Sequence, residues 1–381
     1  MTKTSGPMLT VFIPFYNEEL DLPKTLETLA NQKDQKGNSV DKKHYQILLV
    51  DNNSTDNTRT EIEKFKEKYP ELKVCVIEEK IKSHIAARQS GSLYFLDRAN
   101  GIRTKYLGSG DADVDFHSNW VDSVIRNFES TEADLLSYAG TYPLWFYIKS
   151  PELVKRYIEE IGTIFFDRST IEYFNLQGKS YQFTEQVFID FVRPPTDSCF
   201  AIRSDIFEIT GGFKQEFADR DKKQEVYGEG WRMLFELEME GLVASYITEA
   251  PYNSDPRRLL QEPERFLGFK SYRAGPMSDQ RRQKGDEYSY LNNLMKSFDL
   301  TPVKRYITEY YFLLKCITRP YLVYKNRRYF GDFYEQLHRD ILGWRTKNIF
   351  PTSKAVYDFA SELNDKYFEL LLESIPFQKV K

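Results

Sequence analysis

Four short apolar runs, separated by segments of helical period, occupy the first 110 residues, and this alternation restricts the fold more than any other feature. Leu9 to Pro14, Tyr45 to Val50, Leu72 to Ile77 and Thr104 to Leu107 read as strands. The first intervening helix starts at Asp21 as N-cap, has Pro23 in its first turn, and places Leu22, Leu26 and Leu29 on one face. The second carries Ile62, Phe65 and Tyr69, and the third runs from about Ile85 to Leu96. Strand, helix, strand at this spacing implies right-handed crossovers and an α/β fold built on a mostly parallel sheet flanked by helices. In such sheets ligands sit beyond the carboxyl ends of the strands.

The residues at those ends are polar. Phe15-Tyr16-Asn17-Glu18, Asp51-Asn52-Asn53 and Asp111-Ala112-Asp113 fall on one edge. Asn52 to Asp56 is also good turn and helix-capping chemistry. Asp51 adds a carboxylate at the last strand position, which can accept N–H hydrogen bonds from a nucleobase edge. After two glycines, Asp111 and Asp113 lie two residues apart and so point to the same side of an extended chain. A hard divalent cation, Mg2+ or Mn2+, suits such a pair, with a substrate diphosphate completing its shell. The alternative is a surface turn whose Asp115 or Ser118 caps a helix from Asn119 to Phe128. Lys82 and Arg88 stand near the start of the third helix, where the dipole favours anions and a guanidinium can bind a diphosphate.

Bulk properties narrow the function classes. A chain of 381 residues holds one large domain or a domain of about 250 residues with an appendage. A formal charge of -4 gives no reason to expect a nucleic-acid partner. Cys75, Cys199 and Cys316 are odd in number and far apart, which indicates neither a disulfide framework nor a zinc site and makes a reducing cytoplasm the default. The N-terminus lacks an apolar signal region and no run of about 18 apolar residues occurs, so a soluble or peripheral protein is expected. Phosphate-loop, serine-hydrolase and zinc-protease motifs are missing.

Val11-Phe-Ile-Pro-Phe-Tyr-Asn-Glu18, Leu49-Val-Asp-Asn-Asn-Ser-Thr-Asp56, Ala87-Arg88 and Asp111-Ala-Asp113 resemble the family 2 glycosyltransferases of GT-A fold. Cys199-Phe-Ala-Ile-Arg-Ser-Asp205, Gly211-Gly-Phe213 and Gly228-Glu229 resemble the acceptor half, so the likeness covers roughly residues 8 to 250. It implies an inverting, metal-assisted transferase using a nucleotide-diphosphate sugar. It further implies that Pro14 and Glu18 line the nucleoside pocket, and Tyr16 and Asn53 are expected among the substrate-binding residues. Asp51 would read the base, Arg88 lie near the diphosphate, and Asp111 and Asp113 hold ribose and metal. Where the family shows Glu-Asp, this chain has Glu229-Gly230, leaving Glu229 as the candidate base and Asp219, Asp221 and Glu225 as alternatives. A further metal ligand, often histidine in the family, has only His338 or Asp255 to draw on, and Arg257 and Arg258 could neutralise the leaving diphosphate. The acceptor, whether glycan, lipid-linked or small molecule, is not named by any motif.

The expected division is a catalytic domain over 1–255, with an aromatic-rich insertion at 139–196, and a helical C-terminal extension over 256–381. Thr301 with Pro302 starts a helix through Ile317, Pro320 interrupts it, and Ser353 to Ser374 forms a long last helix. Basic and aromatic residues interleave between Lys304 and Phe330, a pattern suited either to packing with a solvated face or to peripheral contact with an anionic membrane. The substitution of glycine for the second acid also admits a second function, a sugar-nucleotide-binding or scaffolding protein without turnover.

Overall fold

The structure, a computed structural model, describes residues 6–150, 171–173, 181–183, 198–217, 229–239, 241–261, 287–296, 301–327, 330–349 and 351–374. Two compact units divide the chain, Met1–Tyr142 with Pro194–Asp255, and Pro143–Arg193 with Pro256–Lys381.

In the first unit the expected alternation is present as β1 (Leu9–Phe15), α1 (Leu22–Ala30), β2 (Tyr45–Asp51), α2 (Thr58–Lys68), β3 (Val74–Glu78), α3 (His84–Leu96) and β4 (Tyr106–Gly110). There follow β5 (Val114–Asp115), α4 (Trp120–Ser130) and β6 (Leu135–Thr141), which takes in the first residues assigned from sequence to the insertion. One eight-stranded sheet has the order β3-β2-β1-β4-β9-β6-β10-β5, where β9 is Cys199–Arg203 and β10 is Ala244–Ser254. Its β1–β2, β1–β4, β2–β3 and β6–β10 pairings are parallel; β4–β9, β6–β9 and β5–β10 are antiparallel.

Both faces of the sheet are covered, which is why the central strands β1 and β2 are buried along almost their whole length rather than at alternate residues. Leu9, Val11 and Ile13 join Tyr45, Ile47 and Leu49 against Leu22, Leu26 and Leu29 of α1, Ile62 and Phe65 of α2, and Trp120, Val121 and Val124 of α4. Phe12, Leu48, Val50 and Phe200 face the other way, onto Ala87 and Phe95 of α3 and onto Phe207, Met233 and Leu237. The strand period of two thus sorts neighbouring residues into two cores.

Sequence placed the end of the fourth strand too early. β4 runs through both glycines to Gly110 because large rings occupy their side-chain space: an added Cβ would lie 2.5 Å from Trp120 at Gly108 and 2.4 Å from Phe116 at Gly110. The helix after the acidic turn is capped at Asn119, without a side-chain hydrogen bond, rather than by Asp115 or Ser118.

In the second unit the helical expectation for the C-terminal region holds. Thr301–Ile307 continues through a π-helical stretch, Thr308–Leu313, into Leu314–Thr318, and Pro320 opens the short helix Tyr321–Lys325. Ser353–Ser374 packs against the π-helical stretch, with Thr308 Oγ1 2.7 Å from Asn364 Oδ1 and Arg305 paired with Asp365 at 2.8 Å. Lys315 is buried and Arg305 is paired, so both leave the basic face read from sequence, while Tyr321 and Tyr324 remain exposed. Of the insertion's aromatics, Phe146 is buried with its ring centroid 6.4 Å from that of Tyr288. Phe165, Phe166 and Phe174 lie outside the described residues.

Candidate active site

The sheet register aligns the ends of three strands: Phe15 pairs with Asp51, and Asp51 with Glu78. The chain then turns at Asn17 (φ 52°) and Asn53 (φ 65°), left-handed positions that asparagine tolerates better than most residues. The two loops bind each other. Asn17 N–H donates to Ser54 Oγ at 3.0 Å, Thr55 N–H to Asn17 Oδ1 at 2.8 Å, Glu18 N–H to Thr58 Oγ1 at 2.9 Å, and Asn57 N–H to a Glu19 carboxylate oxygen at 3.0 Å. Much of the Ser54–Thr58 motif therefore locks the edge in shape. Asn52 donates to the Ile81 carbonyl at 2.5 Å, and Lys82 Nζ lies 4.5 Å from the centre of the Tyr16 ring, so the segment after β3 is held against the same edge.

Asp51 is fully buried, and both its oxygens are engaged. Oδ1 accepts from Ser54 N–H at 2.8 Å, and Oδ2 accepts from Arg59 Nε. Arg59, in the first turn of α2, also reaches Glu78 at 3.4 Å and is itself half exposed. Sequence reasoning passed over this residue, since a lone cation on a helix reads as solvated.

A second network lies beyond it. Arg88 projects from α3 with only 5% of its side chain exposed, its Nη2 2.5 Å from Asp111 Oδ1 and its Nε 3.0 Å from Glu229 Oε1. The Phe213 ring, 5.6 Å from the guanidinium carbon, packs on it. Asp111 Oδ2 accepts from Ser198 Oγ at 2.8 Å, and the half-exposed His84 places Nε2 3.8 Å from Glu229 Oε1. Glu229 opens the helix Glu229–Met239 with its side chain 1% exposed, and its Oε2 makes no hydrogen bond among the described residues. Arg88 and Glu229 are thus brought together as a buried pair, where sequence had put them at opposite ends of the reaction. His84 and Ser198 were not singled out from sequence, and no spacing rule marks them.

The acidic turn is fixed from three sides. Thr25 Oγ1 donates to the Ala112 carbonyl at 2.8 Å, Asp255 N–H donates to the Asp113 carbonyl at 3.2 Å, and Asp115 pairs across β5–β10 with Asn253. Burial pushes the Asp115 carboxyl up, a shift that Lys24 opposes and Asp255 and Asp21 reinforce. Among the described residues no cluster of three or more His, Cys, Asp or Glu is placed to hold a metal. Mg2+ and Mn2+ sites of one or two carboxylates completed by water and phosphate need no such cage, and the Asp113 turn, with Asp255 anchored to it, fits that mode.

Pro14 is the penultimate residue of β1, and Glu18 lies in the loop beyond it. Arg257 starts the helix Arg257–Gln261 in the second unit; the Arg258 side chain and all of Asp219, Asp221 and Glu225 lie outside the described residues.

Residues 10–182 match the model of glycosyl transferase family 2. Glycosyltransferase AglE of Haloferax volcanii is 30% identical over 145 residues, 38% of this chain and 43% of that protein. Minor teichoic acid biosynthesis protein GgaA of Bacillus subtilis is 32% identical over 127 residues, 33% of this chain and 26% of that protein. The chain spans less than half the length of these curated relatives. Among solved structures, a mannosyltransferase of Pyrobaculum calidifontis in complex with GDP-Man and Mn2+ superposes with a TM-score of 0.44 at 12% identity, covering 96% of this chain and 89% of that one. Over residues 10–182, then, this chain is similar to glycosyl transferase family 2.

Proposed function

We propose that the protein is an inverting glycosyl transferase that moves a sugar from a nucleotide-diphosphate donor to an acceptor hydroxyl. One observation carries the reading: the carboxyl ends of β2 and β4, both parallel to β1, bring Asp51 and the Asp111–Asp113 turn to one edge of the sheet, with Arg88 of α3 paired to Asp111. The nucleoside lies at the Tyr16, Asn53 and Lys82 end, with Pro14, Glu18 and Asp51 shaping that pocket. The diphosphate lies toward Asp111 and Asp113, the negative charge of these carboxylates being offset by Arg88.

Asp113, with Asp111 nearby, would hold Mg2+ or Mn2+, which supplies Lewis-acid neutralisation of the departing diphosphate. Arg257 and Arg258 are the candidate cations of the second unit. The acceptor oxygen attacks the anomeric carbon as the bond to the diphosphate breaks, and a carboxylate takes the hydroxyl proton. Glu229 is the candidate for that proton. Its Oε2, which makes no hydrogen bond among the described residues, is the atom that would take it. The acceptor is a glycan, lipid-linked or small-molecule hydroxyl.

Glu229→Gln tests the assignment. Transfer should fall at least ~100-fold, the scale of a lost general base, with donor binding retained. Loss of donor binding together with transfer would instead make Glu229 a holder of Arg88. Near-normal transfer, lost on changing Asp219, Asp221 or Glu225, would move the base to that residue. A second reading, sugar-nucleotide binding without turnover, is favoured by Gly230 in place of the second acid and by the burial of Glu229. Donor binding without hydrolysis or transfer under any condition would establish it.

A further inference from the structure

We propose that Arg59 selects the nucleobase of the donor, donating to uracil O4 or guanine O6, so that the site takes uracil- or guanine-type nucleotides and discriminates against cytosine and adenine, which carry an amino group at that position. This rests on the reading of the strand edge as a nucleotide-sugar site. Asp51 has no exposed surface, because Ser54 N–H occupies Oδ1 and the Arg59 guanidinium lies over Oδ2. A base entering at the end of β2 therefore meets the guanidinium before it meets the carboxylate.

The placement of Arg59 goes against local preference. A cation in the first turn of a helix faces the positive end of the dipole, and Arg59 is the second residue of α2. It is kept there by two carboxylates from two strand ends, Asp51 through Nε and Glu78 at 3.4 Å through Nη2. Asp51 and Glu78 are on this argument positioning residues, which fix the plane of a guanidinium whose side chain is 54% exposed. A guanidinium offers five N–H donors and no acceptor. Uracil O4 and guanine O6 accept from it, whereas the amino groups of cytosine and adenine present donor to donor. The same geometry without a base would be a plain ion pair that neutralises Asp51, and the two roles differ in what they do to selectivity.

Titration calorimetry with UDP, GDP, CDP and ADP, in the presence of Mn2+, separates them. For the wild-type protein we expect UDP or GDP to bind at least ~10-fold more tightly than CDP and ADP, the discrimination of one good base-edge contact. Arg59→Gln, which can donate or accept, should bring the four affinities within a few-fold of one another. Arg59→Lys keeps the charge beside Asp51 and a donor-only head but loses the planar fork, and it should keep the order of preference with a smaller ratio. Equal weakening of all four nucleotides by Arg59→Gln, with the ratio unchanged and Arg59→Lys like wild type, would reduce Arg59 to charge neutralisation and overturn the proposal. Equal binding of all four by the wild-type protein would overturn it while leaving the nucleotide site standing. Binding of none would remove the site and the proposal together.

Discussion

Replacing Arg88 by methionine should destabilise the first unit by several kcal/mol, and the size of the loss follows from burial. The guanidinium is 5% exposed, the Glu229 carboxylate 1%, and the two are 3.0 Å apart. At an effective dielectric constant of 20, charges at that separation attract by about 5–6 kcal/mol, part of which offsets the desolvation of both groups. Removing one partner leaves the other charged and buried, which typically costs about 3–5 kcal/mol. The contact to Asp111, whose side chain is a third exposed, adds at most about 1 kcal/mol. The assay is urea unfolding of wild-type, Arg88→Met and the double variant Arg88→Met/Glu229→Leu, compared through midpoint and slope. The double variant buries no uncompensated charge and should recover at least about 2 kcal/mol of the loss. A loss under about 1 kcal/mol for Arg88→Met, or a double variant no more stable than the single, would refute the reasoning that this pair is held by mutual charge compensation.

Gly110→Ala places a Cβ 2.4 Å from the Phe116 ring, which itself packs on Trp120, and should destabilise by about 1–3 kcal/mol in thermal unfolding; an unchanged midpoint would contradict the packing argument. Burial, with Arg319 adding repulsion, holds the Lys315 ammonium well below its ordinary 10.5. The unfolded chain therefore binds a proton that the native chain does not, and stability rises with pH in the window below 10.5. Lys315→Met should flatten that rise, and a wild-type slope in the variant would count against it. Among the described residues no helix is long and apolar enough to cross a membrane. If the C-terminal region touches a membrane peripherally, sedimentation with anionic liposomes should be seen at low salt and fall as salt rises; no sedimentation at low salt would leave the packing role alone.

The elements that sequence located best are those whose signal is local. Leu22, Leu26 and Leu29 at helical spacing behind Pro23 gave α1 its face, and Thr301-Pro302 and Ser353 marked helix starts that the structure keeps. β4 was cut short because glycine normally weakens a strand, and only the fold shows Trp120 and Phe116 filling the space above Gly108 and Gly110. The insertion of β9 antiparallel between β4 and β6 depends on chain returning from far along the sequence, for which no local pattern exists. At the site, residue types were legible but partners were not. Asp51 and Asp111 stood out as strand-end carboxylates, yet that Arg59 covers one and that Arg88 joins the other to Glu229 follows from helices α2 and α3 meeting the sheet edge.

The central claim is that this edge binds a nucleotide sugar with help from a divalent cation, and a thermal-shift panel of nucleotide sugars with and without Mn2+ or Mg2+ tests it most directly. A ligand that binds only the native state at about 100 times its Kd stabilises by about 2.7 kcal/mol, well within reach of such a measurement. At least one nucleotide sugar should raise the unfolding temperature, more so with the metal, and Asp113→Asn should abolish the metal-dependent part while remaining folded. A panel in which no nucleotide sugar shifts the transition, or a metal-dependent shift retained in full by Asp113→Asn, would contradict the claim.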